Sequence, residues 1–232
     1  MEEWLWDESN QAGTDYLDEE MVRGYDRIMQ TLRDIPAEIQ VAATAIGVTP
    51  GMKVWESGTG TGEMALGLAA CGAQVWATDI SPAMLGFARK KAAERGLPAV
   101  KFGQGGFLSG FAPETPVDAV VSQLALHHLP DFWKQMAVRR MAQHLRGGGL
   151  LFLRDVVIPD GIGDYGAYFT GVVDGLRQSA GEEMAKRTAR HFRQEFSTLD
   201  WVLEGMFNRA GLRVQAKDSD GFLTAYTCVR EQ

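Results

Sequence analysis

Between residues 53 and 156 the chain alternates short β-type runs with longer helical ones: Lys53–Ser57, a helix over 61–71, Gln74–Asp79, a helix over 82–96, Val100–Gly103, Val117–Ser122, a helix over 131–145, then Gly149–Val156. Parallel strands cannot be joined by a tight turn, and the helical stretches supply the crossovers they need. The alternation therefore predicts an α/β fold, a parallel sheet covered on both faces. Outside this stretch the pattern differs. Met21, Tyr25, Ile28, Met29 and Leu32 keep helical spacing, Asp34-Ile-Pro36 stops that helix and starts another, and Ile39, Ala42, Ala43 and Ile46 carry the second to Gly47. After Pro159 come six glycines between 161 and 181, then a basic helical run over 182–195. A helix capped near Ser197 and Thr198 follows, and strands over 212–217 and 222–229 close the chain as a hairpin around Asp220-Gly221.

Composition narrows the partners. With 232 residues, 45% of them hydrophobic and 23% charged, the chain is long enough for one domain with an appendage. No run of 18 apolar residues occurs and the start Met-Glu-Glu-Trp is acidic, so neither a membrane span nor a signal peptide is expected, and a cytoplasmic location follows. Cys71 and Cys228 both sit in apolar segments and are assigned no chemistry; no metal site is expected either, because no histidine has a ligand-spaced partner. Residues 1–50 hold eleven acids and three bases, which puts that segment at −8 and the remainder at +1. Polyanion binding needs clustered Lys and Arg, so nucleic acid is disfavoured and a small-molecule partner is expected. No pattern in the chain speaks to an oligomeric state.

The strand Lys53–Ser57 runs straight into Gly58-Thr59-Gly60-Thr61-Gly62 and a helix, a loop that lets a ligand approach the backbone at a helix start. A second strand ends at Asp79, 21 residues after Gly58, where a carboxylate can accept both hydroxyls of a ribose. Nicotinamide dinucleotides and S-adenosylmethionine both suit this arrangement. Glu56 separates them, since a carboxylate there would repel a pyrophosphate but attract the ammonium and sulfonium of S-adenosylmethionine.

Glu56–Gly62 resembles the first motif of class I S-adenosylmethionine-dependent methyltransferases. The resemblance continues through Ala77-Thr-Asp-Ile-Ser-Pro-Ala-Met-Leu85, Val117-Asp-Ala-Val-Val-Ser-Gln-Leu-Ala-Leu-His-His-Leu-Pro130 and Leu145-Arg-Gly-Gly-Gly149, and is nearest to the small-molecule type typified by quinone-biosynthesis C-methyltransferases. It implies a doubly wound, Rossmann-like, seven-stranded sheet, mostly parallel with the last strand antiparallel. Residues 1–50 would form an N-terminal helical extension or lid, and 51–232 the methyltransferase domain with an acceptor-side insertion at about 160–196. It also implies Asp79 on the ribose, Ile80 and Met84 beside the adenine, and Ser122-Gln123 near the methionine part. The family usually carries an acid after the third strand that accepts from the adenine amino group. Here that place reads Gln104-Gly-Gly106-Phe107, so the backbone N–H near Phe107 and its ring would have to substitute.

Candidate catalytic residues follow from position along the strands. His127 and His128 come after the fourth strand, where His128 is the candidate general base, although methyl transfer often needs none and a loop histidine bonded to a backbone carbonyl is the ordinary alternative. Arg154 and Asp155 end the fifth strand as either a structural pair or an anchor for a polar acceptor. Lys186, Arg187, Arg190 and Arg193 gather on one helical side, as a solvated face paired with Glu182 and Glu183 or as a cationic patch for an acceptor. Tyr16 and Tyr25, in the leader that would form the lid, are candidate walls or hydroxyl contacts, with core packing as the ordinary alternative. The expected activity is methyl transfer from S-adenosylmethionine to a small molecule by in-line displacement. The rivals are an RNA or protein methyltransferase, a nicotinamide-dependent oxidoreductase, and a cofactor-binding protein without methyl transfer.

Overall fold

The computed structural model describes residues 3–9 and 19–232. Strands β1 (Lys53–Ser57), β2 (Gln74–Asp79), β3 (Val100–Gln104), β4 (Val117–Gln123) and β5 (Leu145–Ile158) alternate with helices α3 (Glu63–Ala70), α4 (Pro82–Glu94) and α5 (Asp131–His144). Helices α1 (Glu19–Leu32) and α2 (Ile35–Ile46) precede them, with Asp34 capping α2 by accepting from the Ala37 N–H at 3.1 Å. Beyond β5 lie α6 (Tyr165–Ala180), α7 (Glu182–Gln194), the two-residue β6 (Thr198–Leu199), α8 (Asp200–Arg209) and the hairpin β7 (Leu212–Asp220) and β8 (Leu223–Arg230).

The main sheet runs β3-β2-β1-β4-β5-β8-β7, with β6 pairing parallel to the far end of β5. β8 inserts antiparallel between β5 and β7. Strand order reverses between β1, which leads outward to β2 and β3, and β4, which leads the other way. A ligand crevice forms at such a reversal, outside the carboxyl ends of the strands. Alternation along β1 sends Trp55 into a core with α5 and α8 (Val138, Met141, Leu203, Phe207) and Val54 into a second core with α2 and α3 (Ala42, Ile46, Ala65, Leu68).

Three elements depart from the reading of the sequence. Ser197 and Thr198 do not cap α8: Thr198 and Leu199 pair with β5 as β6, and the helix starts at Asp200 with Leu199 at its cap position. The glycine-rich 161–181 contains α6, capped by Asp164 accepting from the Ala167 N–H at 2.9 Å and packed on α7 through Phe169 and Phe192, whose rings lie 4.7 Å apart. β5 begins at Leu145, not Gly149, because Leu145 already pairs with Val117; Arg146–Gly149, with Gly148 at φ 72°, then interrupt the ladder before Leu150 pairs with Ala119. Cys71 is exposed at the end of α3, whereas Cys228 is buried. No helix among the described residues is long and apolar enough to cross a membrane.

Candidate active site

The chain leaves β1 at Ser57 and turns through Gly58, Gly60 and Gly62, at φ of 78°, 53° and 86°. Side chains at such angles are strained, and the three positions differ in what surrounds them. A Cβ on Gly58 would lie 2.5 Å from the Ala125 methyl, and one on Gly62 would lie 2.8 Å from that of Ala88, so Gly62 seats α3 against α4. Gly60 has open space on that side. The loop is tied to β2: the N–H groups of Gly58 and Thr59 donate to the Thr78 carbonyl at 2.9 Å, and that of Gly60 donates to Asp79 Oδ2 at 2.7 Å.

Two carboxyl groups meet at this loop. Glu56 is 2% exposed and accepts from the Thr59 hydroxyl at 2.6 Å. Burial, reinforced by the charge of Asp79, pushes its pKa up to about 8, so it holds a proton at neutral pH. Asp79 is half-buried, and desolvation raises it as well, against the N–H groups of Ser81, Gly60 and Ile80 that hold the carboxylate.

Both groups open into a cleft of about 1150 Å³. Of the residues singled out from the sequence, Tyr25, Glu56, Gly58, Thr59, Gly60, Thr61, Asp79, Ile80, Met84, Gly106, Phe107, Gln123 and His128 line it; Gly62, Ser122, His127, Arg154, Asp155 and the basic run over 182–195 do not. Tyr16 lies outside the described residues. Helix α1 is fastened over the loop by Asp26, which accepts from the Thr61 hydroxyl and from Lys91 at 2.7 Å, Lys91 in turn donating to Glu63 at 2.7 Å.

Residues 54–149 match the family described as the methyltransferase domain. Over those residues the chain carries a methyltransferase domain. An uncharacterized methyltransferase of Geobacillus kaustophilus is 28% identical over 229 residues, covering 97% of this chain and 94% of that protein. Among solved structures, magnesium protoporphyrin IX methyltransferase from Synechocystis, with bound S-adenosylhomocysteine, superposes with a TM-score of 0.65 at 19% identity over 92% of this chain and 100% of its own. The [4+2]-cyclase SpnF superposes with a TM-score of 0.66 at 17% identity, over 84% of this chain and 80% of its own. Likeness at that identity is a likeness of fold, and the fold does not set the reaction.

On the β4–β5 side of the methyltransferase cleft the charges are already paired. Arg154 does not pair with Asp155; neighbours on a strand point to opposite faces of the sheet. Its guanidinium donates to Glu38 at 2.7 Å, and Glu38 also accepts from Arg33 and, at 2.7 Å, from Gln123, which holds it below the usual carboxylate range. Asp155 turns the other way and accepts from His127 Nδ1 at 2.5 Å, while His127 Nε2 donates to Glu195 at 3.1 Å. Between two carboxylates the His127 pKa rises to about 9, against its desolvation. His127, His128 and Glu195 lie close enough to suggest a cation site, their ligand atoms within 4.8 Å, but both nitrogens of His127 are committed to carboxylates. Burial and the charge of His127 push His128 down to about 3, leaving it a neutral imidazole at the cleft wall.

The methyltransferase cleft also holds residues that no motif marked: Asp26, Arg33, Glu38 and, from the 3–9 segment, Glu8. Asp26 lies on α1, Arg33 at its end and Glu38 on α2; Asp26 is held by Lys91 of α4, and Glu38 joins Arg33 to Gln123 of β4 and Arg154 of β5. Glu8 accepts from the N–H groups of Phe107 at 2.6 Å and Leu108 at 3.0 Å, about a hundred positions away in sequence. Beside it Trp4 stacks on Trp133 and Trp6 meets Phe196 edge-on.

Proposed function

We propose that this methyltransferase holds S-adenosylmethionine in the β1–β4 cleft and transfers its methyl group to a small-molecule acceptor by in-line displacement. The observation that carries this reading is Glu56, a buried carboxyl with no basic partner at a glycine loop that would otherwise suit a diphosphate. A diphosphate would find no counter-charge there and would hold the carboxyl in its protonated form, whereas a cationic sulfur or ammonium draws the proton off and completes the carboxylate. Gln123 fits the same ligand: its Oε1 is buried in the cleft wall without a hydrogen-bond partner while its Nε2 is held by Glu38, so it presents an acceptor to an ammonium.

When bound, S-adenosylmethionine supplies an electrophilic methyl on a cationic sulfur, which the acceptor displaces. The residues of the chain position and desolvate. Asp79 offers its remaining lone pairs to the ribose hydroxyls, the loop from Gly58 to Gly62 gives the backbone its close approach, and Ile80, Met84 and Phe107 wall the base. Residues 1–50 act as the lid, with α1 and α2 excluding water over the sulfur, and the 160–196 insertion faces the acceptor. Tyr25 and His128 stand beside the acceptor, and Arg154 positions Glu38 and through it Gln123. A small acceptor is favoured over RNA or protein because helices cover the cleft and the leader is acidic.

The test is incubation of the full chain with methyl-labelled S-adenosylmethionine and a deproteinised metabolite extract, with mass spectrometry of the small-molecule fraction. Label in a small molecule is the expected result. Label confined to added RNA or protein, or binding of NADH in preference to the sulfonium, would sink the reading.

A further inference from the structure

The 3–9 segment places a carboxylate in the cleft, and its surroundings match one end of a purine. Glu8 lies against Gly106 so closely that a Cβ built on Gly106 would sit 2.3 Å from Glu8 Oε2, 2.4 Å from Oε1 and 2.5 Å from Cδ, its three nearest atoms. The carboxylate therefore fills the space that a side chain at position 106 would take. Next to it are the N–H groups of Phe107 and Leu108, and the apolar surfaces of Ile80, Met84 and Phe107 line the same end of the cleft. The loop itself carries no acid at that end, since Gln104 turns its amide to the Ile80 carbonyl at 3.1 Å.

We infer that Glu8 is the residue that selects adenine, accepting a hydrogen bond from the exocyclic amino group while the Phe107 N–H donates to the neighbouring ring nitrogen. This rests on the reading of the cleft as the S-adenosylmethionine site. Adenine offers a donor and an acceptor side by side on one edge, and the protein offers a carboxylate and an N–H side by side in return. Glu8 reaches that arrangement by a small change: Oε1 keeps the Leu108 N–H, and Oε2 exchanges the Phe107 N–H for the amino group. Burial raises the Glu8 pKa against the Leu108 and Phe107 N–H groups and the charge of Arg140, and the exchange at Oε2 keeps two donors on the carboxylate. The adenine contact is thereby made by the leader, which Trp4 and Trp6 hold against Trp133 and Phe196. The base can be bound in full only with the leader docked.

The experiment is calorimetric titration of the full chain, and of its variants, with S-adenosylhomocysteine and with S-inosylhomocysteine, which has a carbonyl in place of the amino group and a protonated ring nitrogen. The wild type should prefer the adenine form by about tenfold to a hundredfold, the span of one charge-assisted hydrogen bond. Glu8→Ala should reduce that preference to about threefold or less, and Glu8→Gln, whose amide can donate to the inosine carbonyl, should do the same or reverse it. Gly106→Asp in the Glu8→Ala background should restore it, because the new carboxylate grows into the vacated space. If Glu8→Ala keeps the wild-type preference, or if the wild type has none, the assignment falls while the donor site stands. If the folded wild type binds neither compound, the reading of the cleft falls with it.

Discussion

On the glycine-loop side of the cleft, burial raises the pKa of Glu8, Glu56 and Asp79; among the described residues only Glu8 has a cation acting on it, Arg140, which does not offset the burial. On the β4–β5 side Glu38, Asp155 and Glu195 are buried to a similar degree but lie below the usual carboxylate range, because Arg33, Arg154, His127 and His191 stand against them. Both regions desolvate carboxylates, and they differ in whether the protein itself supplies the counter-charge. An acid left with a raised pKa stores an interaction that a ligand can complete, whereas one already neutralised holds the scaffold together. The contrast divides the polar residues of the cleft into a set proposed to bind ligand and a structural set, and each set makes its own prediction.

The largest effect is expected on the structural side. Asp155→Asn leaves the buried His127 imidazolium with one carboxylate in place of two, and should lower unfolding free energy by about 3–5 kcal/mol, measured by urea denaturation at pH 6. The pH dependence carries the same sign. A histidine raised to about 9 contributes stability that is complete below its unfolded pKa of 6.5 and lost as pH climbs through 9. Wild-type stability should therefore fall between pH 6.5 and 9, and less so in the variant. A loss under 1 kcal/mol would mean that the histidine is neutral and the contrast mistaken.

Next is the ligand-binding side. Asp79→Ala should weaken binding of S-adenosylhomocysteine by about 1.5–3 kcal/mol, the worth of its charge-assisted bonds, and leave the chain folded, although the Gly60 and Ser81 N–H groups lose their acceptor. Loss of stability without loss of affinity would place Asp79 with the structural acids.

What could be read from the sequence divides along the same line. β1 and β2 were legible to the residue because short apolar runs end in the glycine loop and in Asp79, and local punctuation defines both. The acids proposed to bind ligand, Glu56 and Asp79, were legible for the same reason, each standing at the end of a strand. The structural acids were not. Asp155 stands in the sequence beside Arg154 as a structural pair or an acceptor anchor, but period-2 alternation sends the two to opposite faces, and its partner, His127, lies 28 residues away. Glu38 and Glu8 entered only as leader charge, since their contacts with Arg154 and Phe107 span 116 and 99 residues. α6 was hidden because Gly166, Gly171 and Gly175 weaken helix propensity, and packing of its aromatic face on Phe192 outweighs them.

A smaller effect sharpens the role of Glu56. With its pKa near 8, most of the carboxyl is protonated at pH 7 and must lose that proton to meet a cation. Affinity for S-adenosylmethionine should rise about eightfold from pH 7 to 8.5 and then level off, following the deprotonated fraction. Stability of the ligand-free chain runs the other way, because an acid raised in the folded state costs stability as pH climbs from 4.5 to 8. Glu56→Gln should flatten both curves over that range and leave the His127 component in place. A pH-independent affinity in the wild type would remove Glu56 from the cation site.

The smallest expected effect is at His128, which lines the cleft but titrates with the structural cluster behind it. The imidazolium of His127 and burial together hold it near 3, so it can accept a hydrogen bond from the acceptor but retains a proton poorly. A general base of that strength contributes little when the leaving sulfur needs no protonation and the acceptor can release its proton to solvent after transfer. His128→Asn keeps a polar side chain of similar reach, and methyl transfer to the acceptor found in the labelled extract should stay within about threefold of the wild-type rate, with an unchanged pH profile. A loss of a hundredfold or more, together with disappearance of an acidic limb from the profile, would show that the acceptor lifts the His128 pKa on binding. The imidazole would then belong with Glu56 and Asp79, among the groups that the protein leaves for its ligands to complete.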